Sequence, residues 1–252
     1  MNDPHVEWLS YDFVALDSRH DFSAAAPWAG TLGDFNCRLD AGRLEARPHF
    51  HYPDEAVARA ALEPHLRAWE LRSELEDGVQ VGFRFGAAHV IDRQPVPGSV
   101  SVAVSAAGSV SAVGEVTIKV GHRAYPPPSA RALAGSPLVD ALLEWVRDVR
   151  EQRQRMLVGA YLLLTRLEFE YGDRDQAATT LNISKKVLSK LGELSARNDP
   201  AERRKVKGPV SPLTEPERRW ILATLPKLTC QVAEVEAGSR PALLEMASLP
   251  PL

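Results

Sequence analysis

The chain lacks the features that mark several classes of protein. It has only two cysteines in 252 residues, Cys37 and Cys230, and they form no closely spaced metal or redox pair. Its longest strongly apolar run, residues 156–164, is shorter than the roughly 20 residues of a membrane-spanning helix. The N-terminus has no basic stretch followed by an apolar one, so we expect no secretory signal. These absences favour a reduced, cytoplasmic setting without membrane contact.

Histidine is missing from the second half of the chain. All seven histidines lie at or before His122, so the second half has no histidine that could act as a general base. The sequence also has no glycine-rich phosphate loop, no nucleophile elbow and no His-Glu-x-x-His zinc motif. We therefore expect a binding protein rather than an enzyme, with no cofactor.

The chain also has little net charge: its 30 basic and 33 acidic residues leave a net charge of −3. The distribution is uneven: residues 1–135 hold 12 basic and 17 acidic side chains, net −5, whereas residues 136–252 hold 18 and 16, net +2. Residues 185–207 contain eight basic and three acidic side chains, and five of the seven lysines. This local excess of positive charge is a candidate contact surface for an anionic partner.

Alternation of apolar and polar residues predicts strands in the first half. Residues 35–39 and 44–46 alternate on either side of Asp40-Ala41-Gly42, as expected for a hairpin, and further alternating rows begin at Val79, Val100 and Val116. Residues 54–76 keep helical spacing, with Pro64 expected to start a new helical segment. The prediction is a β-rich domain, sandwich or barrel-like, with one helical insertion.

The second half has helical spacing throughout. Three prolines after Tyr125 stop the last predicted strand, and the Ser136-Pro137 pair and the capping box that begins at Thr214 are typical of helix starts. The fold class is therefore α+β. We predict a β-rich domain over 1–128 with a helix near 54–76, a helical domain over 129–237 and a flexible tail over 238–252. The apolar tail has two alternatives, docking on a partner or packing back on its own domain.

Residues 174–191 resemble the DNA-binding helix-turn-helix. Ala178 is small where two crossing helices approach, Asn182 tolerates the left-handed backbone of the turn, and Ser184 is placed to cap the second helix. Five apolar residues are spaced to pack the bend: Ala177, Leu181, Ile183, Leu188 and Leu191. The sequence has Asn182 where glycine is commoner. Any tight pair of helices needs similar residues, so a purely structural role is the alternative.

The resemblance implies a set of DNA contacts. The residues left facing outward would meet the major groove, namely Ser184, Lys185, Lys186, Ser189 and Lys190. Further basic residues would contact phosphates, namely Arg197, Arg203, Arg204, Lys205 and Lys207. The reading face lacks arginine, glutamine and asparagine, the residues that read bases most directly. A solvated charged loop is the alternative for the second group.

Gly42, His49, His51 and Glu55 resemble the first metal-binding motif of cupins, in which a His-x-His pair on a strand and a following glutamate hold a divalent metal. The spacing from Gly42 to His49 is one residue longer than in that motif, Leu62 stands where a glycine is expected, and no second motif follows. Surface or hydrogen-bonded histidines are the alternative. We therefore predict that the protein binds no metal, and His49, His51 and Glu55 are only weak candidates for metal ligands.

Three functions follow from these observations. The first is a non-enzymatic DNA-binding regulator, in which the helical half contacts duplex DNA and the acidic half dimerises or senses a partner. The second is a protein-interaction or scaffold subunit of a bacterial complex without nucleic-acid contact, using the helical domain or the tail. A cupin-like metal-dependent enzyme comes third. Self-association of the chain is compatible with the first two.

Overall fold

The computed structural model describes residues 3–94, 120–200 and 210–252. The chain divides into two compact units, Met1–Ala130 and Arg131–Leu252. The first, called the sheet unit, contains an antiparallel β-sheet and one long helix, and the second, called the helical unit, is built from α-helices. The predicted α+β class is confirmed.

Five strands form the main sheet of the sheet unit, in the order β3-β4-β5-β1-β6 and antiparallel throughout. These strands are β1 (Pro4–Ala15), β3 (Trp28–Leu32), β4 (Phe35–Asp40), β5 (Arg43–Pro48) and β6 (Val81–Asp92). Two shorter strands, β2 (His20–Asp21) and β7 (Val120–Gly121), form a separate parallel pair. The short pair joins parts of the chain that are about a hundred residues apart.

The predicted hairpin corresponds to β4 and β5. Ala41 and Gly42 form its turn with φ values of 48° and 76°, the left-handed conformation that two-residue hairpin turns require. The strands alternate as predicted, so that their apolar side chains face the core and their charged side chains face outward. The buried row is Phe35, Cys37, Leu39, Leu44 and Ala46.

Helix α1 (Glu55–Arg72) covers the core face of this sheet and continues into a π-helical turn over Ser73–Asp77. Asp54 begins it by accepting a hydrogen bond from the backbone N–H of Val57. The prediction that Pro64 starts a new segment is wrong, since α1 runs through it. Pro64 lies on the exposed side of α1, where water can solvate the carbonyl that lacks a partner, while residues on both sides of Pro64 pack into one core.

One further expectation needs correction, and one strand is not predicted. The part of the chain that the structure describes forms one main sheet covered by a helix, rather than a sandwich or barrel. Strand β1 is not predicted from the sequence, because two register shifts against β6 and two buried polar residues, His5 and Ser10, interrupt its alternation. The predicted strands that begin at Val100 and Val116 lie outside the described residues, except for Val120.

The helical unit contains five α-helices and a short 3₁₀ turn within its described residues. They are α2 (Pro137–Arg150), α3 (Met156–Tyr171), α4 (Arg174–Thr180), α5 (Lys185–Ser195), α6 (Glu215–Glu236) and the turn Met246–Ser248. Ser136 caps α2 and Thr214 forms the predicted capping box with Glu217 at the start of α6. Among the described helices, none combines the length and the apolar composition that crossing a bilayer requires.

Candidate nucleic-acid interface

Helix α4 starts with a reciprocal cap. The Asp173 side chain accepts hydrogen bonds from the N–H groups of Asp175 and Gln176, both at 2.9 Å. The Gln176 side chain in turn accepts from the Asp173 N–H at 3.2 Å. Such a capping box satisfies donors that a short helix would otherwise leave open, which explains how seven residues hold a helix here.

The turn between α4 and α5 has the backbone geometry that the sequence predicts. Asn182 has φ +50°, which places it in the left-handed region. The Ile183 N–H donates to the carbonyl of Ala178 at 2.8 Å, so the chain reverses directly after α4. The Asn182 side chain also donates to the carbonyl of Pro241 at 2.9 Å, a contact with a distant segment.

The bend is packed by apolar side chains against α3. All five residues expected at these positions are buried: Ala177, Leu181, Ile183, Leu188 and Leu191. Helix α3 contacts both α4 and α5, so the three helices form one cluster. Gly192 on α5 gives the Arg174 side chain room, because a Cβ there would lie 2.9 Å from an Arg174 guanidinium nitrogen. Arg174 then donates to Glu168 on α3 at 2.7 Å.

The opposite face of α5 presents the predicted polar residues. Lys185, Lys186 and Ser189 are exposed, while Ser184 and Lys190 are half-buried. Ser184 stands at the N-cap position, but its side chain makes no capping hydrogen bond, so that part of the prediction is wrong. The Ser184 N–H donates instead to the carbonyl of Leu244 at 2.8 Å. The backbone of Ser184 is therefore held by the C-terminal segment.

Several of the basic side chains have acidic partners. Lys185 lies 2.7 Å from Asp175, and Lys190 lies 2.8 Å from Glu193. The hydrogen bond from Lys190 holds the pKa of Glu193 below its ordinary value, with Arg197 adding to the effect against the opposing influence of burial. For Lys186, the described ranges contain no acidic group within ion-pair distance. The positive charge of α5 is thus partly neutralised, and most strongly away from Lys186.

The predicted phosphate contacts are divided. Arg197 pairs with Glu217 at 2.8 Å and with Glu193 at 3.6 Å, and so links the end of α5 to the start of α6. The hydrogen bonds from Thr214 and Arg197 outweigh burial and lower the pKa of Glu217. The other four predicted contacts lie outside the described residues: Arg203, Arg204, Lys205 and Lys207.

The C-terminal segment, residues 238–252, packs on the helical unit instead of forming a flexible tail. The Leu244 N–H donates to the Asn182 carbonyl at 3.0 Å, and Gln231 on α6 donates to the Ala242 carbonyl at 2.8 Å. Leu244 and Leu249 are buried. Packing back on the same domain, one of the sequence alternatives, is what the structure has. The contact between Leu244 and Asn182 joins positions about 60 residues apart, so no local sequence signal reveals it.

Met246 brings the C-terminal segment alongside the outward face of α5. It lines a groove with Lys186, Ser189, Lys190 and Glu193. The candidate interface therefore consists of the first two turns of α5, the turn at Asn182 and the adjoining C-terminal segment.

The weak metal candidates do not converge. His49 and His51 follow the end of β5 rather than lying on a strand, and Glu55 is in the first turn of α1, where it pairs with Arg59 at 3.2 Å. His51 stacks on His5 instead, with ring centroids 5.4 Å apart. Within the described ranges, no three histidine, cysteine or carboxylate side chains are grouped to hold a metal ion.

Comparison of the chain with family models, curated proteins and solved structures finds no match. Function therefore has to be argued from the arrangement of the residues.

Proposed function

We propose that the protein binds duplex DNA through the N-terminal half of α5. The observation that carries this proposal is the exposure of Lys185, Lys186 and Ser189 on a helix whose other face is packed on α3. A helix held in this way after a left-handed turn projects its first turns outward, as in recognition helices that enter the major groove. The two cysteines, Cys37 and Cys230, are buried and not joined in a disulfide, which agrees with a reduced, cytoplasmic setting.

The ion pair of Lys185 does not oppose this role. Lys185 and Asp175 are both largely exposed, at 62% and 67% of their side-chain surface. Exposed pairs of this kind stabilise a protein by at most about 1 kcal/mol. A DNA phosphate can therefore replace the carboxylate as the partner of the lysine at little cost, and the release of counterions from the DNA favours the exchange.

The residue types favour contacts with phosphates over base reading. Lysine is a point charge with three donors, and the exposed face contains no arginine that could bind a guanine edge through two hydrogen bonds. We therefore expect binding that depends strongly on salt and weakly on DNA sequence. The acidic sheet unit would then dimerise or sense a partner.

The test is the affinity of the full-length protein for a short fluorescent duplex, measured by anisotropy at several salt concentrations. Replacing Lys185, Lys186 and Lys190 with glutamate should weaken binding by at least about tenfold at low salt and reduce the salt dependence by two to three phosphate contacts. The control replaces Arg38, Arg84 and Arg93, exposed arginines of the sheet unit, with glutamate and changes the net charge equally. Equal loss in both variants, or no binding by the wild type, would refute the proposal.

A second candidate is a protein-interaction subunit, favoured by the aromatic side chains on α3. Phe169 is 77% exposed and Tyr161, two turns away on the same helix, is 45% exposed. Exposed aromatic residues are typical of interface centres. If this function holds in place of DNA binding, replacing Phe169 with glutamate should abolish an association that light scattering detects, while the lysine variant leaves it intact.

A further inference from the structure

Two histidines that are distant in the sequence meet between the short strands of the sheet unit. Pairing of β2 with β7 places His122 directly beyond Gly121, and the His122 N–H donates to the carbonyl of Asp21 at 2.8 Å. This brings Nδ1 of His20 to within 2.7 Å of Nε2 of His122. At this distance one ring nitrogen donates a proton and the other accepts it, so a nitrogen of each ring is directed at one small volume.

A carboxylate orients the first ring. Oδ2 of Asp17 lies 3.6 Å from Nε2 of His20, and both side chains are about 85% buried, with 15% and 16% of their surface exposed. The negative charge favours a proton on Nε2 and hence a lone pair on Nδ1, the nitrogen that faces His122. Asp17 is itself held by Arg19, which donates to the same carboxylate at 3.3 Å. Metal-binding histidines are commonly oriented by a carboxylate on the far nitrogen in this way.

The second ring is held by aromatic packing. His122 stacks on Phe22 with ring centroids 4.5 Å apart and an angle of 12° between the planes. Phe22 stacks in turn on Tyr125 at 5.9 Å. The stacking and the contact with His20 hold this ring so that its Nε2 is directed at Nδ1 of His20. At neutral pH an imidazole is mostly in the neutral form that ligates metals.

We propose that His20 and His122 bind one divalent metal ion of the zinc class through Nδ1 and Nε2, with water in the remaining positions. Two zinc–nitrogen bonds of about 2.0–2.1 Å at the tetrahedral angle hold their nitrogens about 3.3 Å apart. The rings therefore need to separate by roughly 0.6 Å from the observed 2.7 Å. The shared proton moves from Nε2 of His122 to its Nδ1, so neutral rings bind the ion without releasing a proton.

The number of protein ligands sets the expected affinity for the metal ion. Because the described residues contain no third ligand grouped with them, the ion keeps an open coordination sphere and binds reversibly rather than as a structural zinc. The site does not include His49 and His51, the two histidines that the sequence suggests as metal ligands. Those two histidines provide matched controls, since both are exposed.

The experiment is a calorimetric zinc titration of the untagged full-length protein. We expect one zinc per chain for the wild type and for the His49→Gln, His51→Gln double variant. His122→Gln keeps hydrogen-bonding capacity at this position and should weaken zinc binding by at least about tenfold, which corresponds to the loss of one of two ligands. Zinc should also raise the melting temperature of the wild type and the control but not that of His122→Gln.

Imidazole nitrogen NMR spectra of the wild type give a reading that needs no variant. Zinc should shift the signals of His20 and His122 and leave those of His49 and His51 unchanged. The absence of zinc binding, or binding that is lost in the His49→Gln, His51→Gln variant and kept in His122→Gln, would overturn the proposal.

Discussion

All seven histidines lie in the sheet unit, whereas six of the seven lysines lie in the helical unit. The two residue types respond to different conditions, because histidine titrates near neutral pH and lysine stays charged. Their surroundings differ as well. Three histidines of the sheet unit, His5, His20 and His122, are largely buried in contact with other rings. The two lysines at the start of α5 are exposed.

Each unit is therefore suited to respond to a different condition. Buried histidines change the stability of a fold as protons or metals are gained, and exposed lysines change the attraction to an anionic partner as salt is added. The sheet unit should therefore respond to pH and metals, and the helical unit to ionic strength. DNA binding by α5 and zinc binding by the His20–His122 pair would give each unit one class of ligand.

The largest effect that separates the two units concerns their central tryptophans. Trp69 and Trp220 are both fully buried, but Nε1 of Trp69 donates to the carbonyl of Pro126 at 2.7 Å, while Nε1 of Trp220 has no partner among the described residues. Trp69→Phe strands a buried acceptor, whereas Trp220→Phe removes an unsatisfied donor. We expect Trp69→Phe to lower the free energy of unfolding by about 1–3 kcal/mol more than Trp220→Phe.

Urea unfolding of the two full-length variants measures this difference. Both substitutions remove the same atoms, so each serves as the control for the loss of volume. Equal destabilisation would indicate that Nε1 of Trp220 is satisfied in solution, for example by a buried water.

Much of the fold follows from local patterns that the sequence displays. The hairpin at Ala41 and Gly42 and the caps at Ser136 and Thr214 depend on residues within a few positions of one another, so turn and capping rules identify them. Strand β1 is different, because its place in the centre of the sheet depends on β6, about 75 residues later, and its bulges break the alternation. Pro64 misleads because packing on both sides holds α1 together.

The candidate sites divide in the same way. The left-handed turn at Asn182 and the buried positions around it can be predicted from spacing, since helix geometry fixes which residues meet. The C-terminal segment at Leu244 and the meeting of His20 with His122 cannot, because both depend on pairing between distant segments. The spacing in the sequence instead favours His49 and His51 as metal ligands. Both residues follow the end of β5, whereas Glu55 begins α1.

A smaller effect is the pH at which each unit loses stability. Burial, with Arg93 and His51 nearby, holds the pKa of His5 below its ordinary 6.5, although Asp3 and Glu7 oppose this. The native state therefore resists protonation of His5. The contribution of neutral His5 to the free energy of unfolding is complete above pH 6.5 and declines as the pH falls through the lowered pKa. In the helical unit, the pKa of Glu217 lies below its ordinary 4.5. The contribution of ionised Glu217 to the free energy of unfolding therefore persists until the pH falls below 4.5.

Peptide-resolved hydrogen exchange between pH 7 and pH 4, corrected for intrinsic rates, measures both units in one chain. Peptides of the sheet unit should lose protection at a higher pH than those of α6. His5→Leu should flatten the response of the sheet unit, and the exposed His49→Leu should leave it as in the wild type. Loss of protection at the same pH in both units would contradict the contrast between them.

The smallest effect compares the caps of two helices, one in each unit. Asp54 accepts a hydrogen bond from the Val57 N–H at 2.9 Å, so Asp54→Ala should destabilise the protein by about 1 kcal/mol. Ser184 makes no side-chain cap, and its N–H bond to Leu244 survives substitution, so Ser184→Ala should change the melting temperature very little. Within the described ranges, the hydroxyl of Ser184 therefore does not cap α5.

If Ser184→Ala nevertheless weakens duplex binding while its melting temperature stays that of the wild type, the hydroxyl acts in binding. A fall in melting temperature as large as that of Asp54→Ala would show instead that Ser184 caps α5 in solution.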